Sequence, residues 1–241
     1  MIKVSDLLTT KRKLIQLPAK VRFYEDGGGV KCLERMPVRA NKGIVYLNSM
    51  RDNDVECFCT FVTDKNSNVL GHHKYSIVEN VLEGDYMEVD CRYQGNGLGE
   101  LLRLASLMMC KENNLEAIKL DALSTAIPFH LKYKFKPYFP FYKQETILNL
   151  LQNIIYRTNE SGDLNKLAKK LSSDYYIAKD ENSYQESLCN LITRYVVQNR
   201  GRWGDMNFVY NLRLKLDNNM LKSNADYYNK LFKKHDIDYR I

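Results

Sequence analysis

The chain has 241 residues, 44% of them hydrophobic and 27% charged, with a formal net charge of +7. This is enough apolar material for a domain-sized core, and it excludes a disordered chain or a disulfide-stapled miniprotein. No run approaches the roughly 20 apolar residues a membrane span needs, and the N-terminal MIKVSDLLTTKRKLIQL has no apolar signal core, so the chain reads as cytosolic.

The six cysteines (Cys32, Cys57, Cys59, Cys91, Cys110 and Cys189) include no C-x-x-C and no zinc-ligand spacing, so buried reduced thiols and no metal are expected. The moderate positive charge admits an anionic ligand without requiring nucleic acid.

In chain order, Gly43–Met50 and Glu56–Thr63 are β-branched and aromatic enough to be strands. Asp64-Lys65-Asn66-Ser67-Asn68 is turn chemistry, and Val69–Val78 returns as the second arm of a hairpin. Tyr86–Val89 is a further short strand. The period then changes: Leu98, Leu101, Leu102, Ala105, Met108 and Met109 recur at helical spacing, and Leu104 and Leu107 widen the stripe enough for deep burial. Ala117–Leu123 reads as a strand again, and a strand-helix-strand passage of this length makes its two strands parallel. Ser124 caps a helix running to about Tyr133, and Lys136–Tyr142, with two prolines, is an edge strand at best. Beyond residue 142 helices are expected over Gln144–Arg157, Asp163–Leu171, Tyr184–Gln198, Asn207–Lys222 and Ala225–His235. The fold class is therefore α/β or α+β with a small central sheet, in two parts: 1–142, and a helical extension over 143–241.

The residues richest in chemistry are Tyr93-Gln94-Gly95-Asn96-Gly97-Leu98-Gly99, between a strand and the amphipathic helix. Three glycines in five residues let the backbone curl and remove the Cβ atoms that would hold a ligand away. The helix start presents unpaired N–H groups and the positive end of its dipole, a site for a pyrophosphate. The turn is neither a Walker loop nor a dinucleotide fingerprint, because its spacing is G-x-G-x-G.

With its flanks, Val89-Asp90-Cys91-Arg92-Tyr93-Gln94-Gly95-Asn96-Gly97-Leu98-Gly99 resembles the acyl-CoA-binding signature of the GNAT superfamily of N-acyltransferases, with Gln94, Gly97 and Gly99 at the signature positions. The hairpin arm ending Val69-Leu70-Gly71 is similar to that family's third strand, and Ala126–Phe135 to its late helix. The resemblance covers about residues 40–142. It implies a mixed, mostly antiparallel sheet with a V-shaped splay, flanking helices, and acetyl-CoA as cosubstrate. It further implies that the backbone around Val89, Asp90 and Cys91 pairs with the pantetheine arm, that the N–H groups of Gly95, Asn96, Gly97, Leu98, Gly99 and Glu100 hold the pyrophosphate, and that Gln94 belongs to the same cofactor-binding turn. The family's usual proton donor, a tyrosine, is replaced here by His130, with Tyr133 and Tyr138 as nearby hydroxyls. Glu83, at the start of this strand, and Glu88, beside Val89, are the candidate bases.

His72 and His73 are adjacent in a strand, so they face opposite sides and cannot clamp a metal together. Arg92 is either a phosphate contact or an ordinary surface arginine, and Trp203 anchors a helix corner.

The first functional reading is an acyl-CoA-dependent N-acyltransferase acting on an amine. The second is a CoA-binding module that has lost catalysis. A third keeps the enzyme and gives it a protein or tRNA acceptor. No membrane partner is expected, and a homodimer through the helical part is the alternative to that part walling the acceptor side.

Overall fold

Alternation of apolar and polar residues decides the first half of the chain. In a computed structural model, residues 16–52, 57–123, 126–138, 144–179, 182–199 and 211–241 are described. The first strands are short: β1 (Ala19–Lys20), β2 (Phe23–Glu25), β3 (Lys31–Leu33) and β4 (Met36–Ala40). They precede β5 (Gly43–Asp52), whose Val45, Leu47 and Ser49 are buried on one face. β6 (Cys57–Thr63) and β7 (Val69–Val78) follow, joined through the Asp64 turn. There the Asp64 carboxylate accepts the N–H groups of Asn66 and Asn68 at 2.8 and 2.9 Å. β7 reverses into β8 (Val81–Val89) through Glu79 and Asn80, both at positive φ (47° and 65°). This is the backbone of a two-residue hairpin of the I′ kind.

After a single 3₁₀ turn at Cys91–Tyr93 comes α1 (Leu98–Glu112), in which every residue from Leu101 to Cys110 is buried. β9 (Ala117–Leu123), α2 (Ile127–Lys132) and the two-residue β10 (Lys136–Pro137) come next. Then three helices follow in succession: α3 (Gln144–Arg157), α4 (Asp163–Ala178) and α5 (Asn182–Gln198). The chain ends with β11 (Asn211–Asp217), α6 (Asn218–Ser223), α7 (Ala225–Lys234) and β12 (Ile237–Asp238).

Among the described residues eight strands are hydrogen-bonded in the order β10-β11-β9-β8-β7-β6-β5-β4. The β4–β5, β5–β6, β9–β11 and β10–β11 pairs are antiparallel, whereas β8–β9 is parallel, as the strand-helix-strand passage predicts. The β8–β9 register runs from Val81↔Ala117 to Gly84↔Leu120 and ends there. A splay between these strands requires such an ending. The mixed, mostly antiparallel sheet with helices is the expected fold class.

One expected helix is corrected. Residues within Asn207–Lys222 form a strand over Asn211–Asp217, paired along its whole length with β9. The sequence NLRLKLD alternates strictly, and its Leu214 and Leu216 are buried while Arg213 and Lys215 are half-buried. The open edge of β9 selects period two over period 3.6. The second part of the chain is therefore not purely helical: α3, α4 and α5 are inserted between two paired strands, β10 and β11. Strands β2 to β4 were not expected from sequence, and β8 begins earlier than its Tyr86–Val89 segment. Ser124, Trp203 and Pro140 to Tyr142 lie outside the described residues.

By contacts the chain divides into two compact units. One comprises the residues up to His73 with Met87–Met109 and Ala225–Ile241, and the other Lys74–Tyr86 with Cys110–Asn224. In the first, α1 packs its buried methionines beneath the sheet; Ser49 donates a hydrogen bond to Met109 Sδ at 3.3 Å. In the second, α3, α4 and α5 pack in sequence, and α5 also touches α2. Tyr184 on α5 donates to the carbonyl of Leu171 at 2.8 Å, and burial pushes its phenol up to about 12. The thiol of Cys189 reaches the carbonyl of Pro137 at 3.6 Å, tying α5 to β10. The cysteines are free thiols; Cys110 is buried and pushed up to about 12 by desolvation, whereas Cys91 is exposed, against expectation.

Candidate functional site: the turn before α1

The turn between β8 and α1 is held by local hydrogen bonds. Asp90 ends β8, its N–H donating to the carbonyl of Leu70 at 3.0 Å. Its carboxylate accepts the N–H of Arg92 at 2.9 Å and is clamped by the Arg92 guanidinium. That guanidinium, with the backbone N–H, holds the Asp90 carboxyl at about 2. Arg92 is thereby engaged by its own neighbour, and its ring-facing side lies 5.6 Å from the centroid of Tyr93. The chain then turns through Gly95 and Gly97, at φ +78° and +81°. A side chain at Gly97 would be strained in that region, and its Cβ would lie 3.3 Å from Asn41 Oδ1.

Asn41 is the clamp. Its backbone N–H donates to the carbonyl of Asn96 and its side-chain amide to the carbonyl of Gly95, each at 3.0 Å. The N–H of Asn96 donates within the turn to the carbonyl of Tyr93 at 3.3 Å, and the first N–H groups of α1 have no intrahelical acceptor. Upstream, Gly71 lets β7 approach closely: a Cβ there would fall 2.9 Å from the carbonyl oxygen of Glu88 and 3.2 Å from Val89 Cγ2. The amide of Gln94 reaches back to the carbonyl of Val89 at 3.5 Å. Val89, Asp90, Cys91, Gln94, Gly95, Asn96, Gly97, Leu98, Gly99 and Glu100 thus form one continuous turn, with Asn96 and Leu98 buried beneath it.

Glu100 adds what spacing alone does not reveal. Its side chain is buried under the start of α1, where it accepts from His235 Nε2 at 2.7 Å and meets the ammonium group of Lys234. The other ring nitrogen of His235, Nδ1, lies 2.5 Å from the carbonyl of Arg39. The backbone of Glu100 belongs to the start of α1, and its side chain to the floor beneath.

The remaining candidates lie in the second unit, apart from Glu88, which is exposed near the end of β8. His130 on α2 is buried, with the rings of Phe129 and Phe135 at 5.1 and 5.9 Å in edge-on contact. Tyr133 is buried against Phe129, while Tyr138 is half-buried. The carboxylate of Glu83 is bonded to the guanidinium of Arg213, which also holds Asp121 at 2.9 Å. A base in that position has to act from within an ion pair. As expected, His72 and His73 face opposite ways: His73 is buried on Ser106 Oγ at 2.8 Å, and His72 is half-buried.

Among the described residues no group of three or more His, Cys, Asp or Glu is placed to hold a metal ion. Asn41, Arg213 and His235 were not singled out from sequence. Their partners lie 54, 130 and 135 residues away in the chain, and no local motif marks them.

No protein-family model matches the sequence, and no curated protein matches it significantly. Among solved structures the chain is similar to an acetyltransferase of the GNAT family from Staphylococcus aureus, at 21% identity and a TM-score of 0.33, over 38% of this chain and 58% of that one. It is also similar to an acetyltransferase from Bacillus cereus (21% identity, TM-score 0.33, 37% of this chain and 67% of that one). A third is Tetrahymena GCN5 (19% identity, TM-score 0.34, 39% of this chain and 58% of that one). The chain thus spans less than two thirds of the length of the first of these structures.

Proposed function

We propose that the protein is an acyl-CoA-dependent N-acyltransferase, with acetyl-CoA as donor and an amine as acceptor. The observation that carries the reading is the turn at Gly95–Glu100: two residues at positive φ, carbonyls drawn to Asn41, and a helix start directly behind. Such a turn suits a pyrophosphate, and the close approach at Gly71 and Val89 suits an extended strand edge beside it. Bound acyl-CoA would supply a thioester; the amine nitrogen bonds to its carbonyl carbon, the carbon–sulfur bond breaks, and the sulfur leaves with its electron pair and takes a proton.

In this reading the N–H groups of the turn hold and orient the donor, and the backbone N–H of Val89 polarises the thioester oxygen. His130 is the proposed proton donor to sulfur, and Tyr138, the less buried of the two nearby tyrosines, its substitute. Glu83, paired with Arg213, and the exposed Glu88 remain the proposed bases.

A second reading, a CoA-binding module without catalysis, draws on the packing of His130 between Phe129 and Phe135. Turnover of acetyl-CoA with a panel of amines separates the two. The transferase reading expects thiol release that an acceptor raises, and His130→Gln to lower it by roughly 10²–10⁴-fold at unchanged CoA affinity. Acceptor-independent release favours the module. For CoA binding itself, Gly97→Val should abolish the thermal protection that acetyl-CoA gives, about 2.7 kcal/mol at a hundredfold excess over Kd. Undiminished protection of a folded Gly97→Val protein would sink both.

A further inference from the structure

The antiparallel registers of the second unit place three lysines in one row. Lys136 on β10 stands directly opposite Lys215 on β11, and Lys215 directly opposite Lys119 on β9. Residues directly opposite share a face, with Cβ atoms about 4.5–5.5 Å apart, and like charges so placed destabilise a sheet. The other face of these strands is the core, formed by Ile118, Leu120, Leu214 and Leu216.

The acids nearby do not neutralise the row. Glu83 lies opposite Lys119 in register, but its carboxylate is bonded to Arg213, as is that of Asp121. Among the described residues Asp217 approaches a lysine of the row, Lys215, at 3.5 Å, and its other oxygen caps α6 through the N–H of Met220. In the middle stands Tyr138, held by its N–H on the carbonyl of Arg213. The ammonium groups of Lys119 and Lys215 lie 5.2 and 5.3 Å from the centroid of its ring. Two cations around one aromatic ring, on a half-exposed face, are the arrangement an oxyanion would complete.

We infer that Lys119, Lys215 and Lys136, around Tyr138, form a binding site for the phosphoryl group of a small ligand. A multiply charged oxyanion matches three ammonium groups, and lysine serves phosphate as a point charge without demanding planar geometry. The row spans only two strand spacings, about 10 Å. It is bounded past Lys119 by Glu83 on β8, and along β9 and β11 by the next same-face pair, Asp121 and Arg213, a bridge of two carboxylates to one guanidinium that disfavours a phosphate chain continuing in those directions. Those two limits favour a small ligand over a nucleic-acid strand.

The test is titration of inorganic phosphate into the full-length protein at constant ionic strength in chloride, followed by calorimetry and by the NMR signals of the Tyr138 ring. Lys119→Gln/Lys215→Gln should weaken phosphate binding at least tenfold, and Lys119→Arg/Lys215→Arg should keep it. Gly97→Val should leave it unchanged, because Gly97 contributes no group to the lysine row; conversely, loss of CoA binding in Gly97→Val says nothing against the lysine row. Binding undiminished in the glutamine variant, or lost in Gly97→Val, would overturn the site. If the glutamine variant fails to fold, Tyr138 signals that do not respond to phosphate in the unaltered protein refute it equally. A single-stranded oligonucleotide that binds more tightly than phosphate and covers several nucleotides would replace it with a nucleic-acid surface.

Discussion

His235 Nε2 and Glu100 Oε1 meet at 2.7 Å across 135 residues of sequence, both side chains almost wholly buried. This contact links α7 to the floor of the turn before α1. Removing one member of a buried pair leaves the other uncompensated, which costs about 3–5 kcal/mol, whereas removing both costs less than the sum. His235→Ala is therefore expected to destabilise the protein by about 3 kcal/mol, the lower end, because Lys234 still meets Glu100. Glu100→Gln/His235→Ala should recover part of that loss. Denaturant melts of these two variants, of Glu100→Gln alone and of the unaltered protein decide it, and strictly additive losses would show that the contact is not the source.

The turn was legible in the sequence, and its floor was not. Gly95 and Gly97 announce positive φ because other residues pay for it, and both adopt it. Nothing local marks Glu100 as the partner of His235, since a buried long-range pair has no spacing rule. The same holds for Arg213, whose partners depend on β11 reaching β9. β11 is not legible because its seven residues are too short to outweigh the helical pattern of the Asn218–Ser223 segment that continues it. The buried stripe of α1 is legible because its pattern repeats over many residues, and the parallel β8–β9 pair because a crossover helix joins its strands.

Arg92 should set the titration of Asp90. Its removal is expected to bring the Asp90 midpoint from about 2 back toward 3.8, followed by carboxyl NMR shifts of Arg92→Ala. A carboxyl depressed in the folded protein contributes stability above its unfolded pKa and loses it as pH falls through its folded one. The window for this contribution is thus roughly pH 4 down to pH 2. An unchanged midpoint would assign the depression to the backbone N–H groups instead.

Arg213 neutralises two carboxylates, with only 15% of its side chain exposed. Arg213→Gln is expected to cost about 1.5–3 kcal/mol, the value of hydrogen bonds to charged groups. In a protein of this size that lowers Tm by about 2–4 °C per kcal/mol. Arg213→Lys should recover only part, since a single ammonium cannot span Glu83 and Asp121 as the guanidinium fork does. A melt of Arg213→Gln coinciding with that of the unaltered protein would refute this role.

The inserted position of α3, α4 and α5 changes how their role is tested. A chain ending near Tyr142 would lose β11 and expose the edge of β9, confounding substrate choice with folding. Replacing the segment from residue 144 to residue 199 by a short flexible linker keeps β10 and β11 in one chain. That protein is expected to retain acetyl-CoA protection and to lose acceptor-dependent turnover. Full activity on the same acceptor would remove the helices from substrate selection, and a change in mass from dimer to monomer would mark them as a dimer surface.

The route by which β11 reaches β9 also sets an order of events. Arg213 and Asp121 are 92 residues apart, so their registration must wait until a long intervening segment has been closed into a loop. Closure entropy grows only logarithmically with length, but it is spent before any strand contact repays it. Helices α3 to α5 meet their neighbours in sequence and can form on a local timescale, shortening the span that remains to be closed. The inserted helices would then act during folding as a brace that delivers β11 to its edge. Their amides should gain protection from hydrogen exchange before those of Asn211–Asp217 in a pulse-labelled refolding reaction.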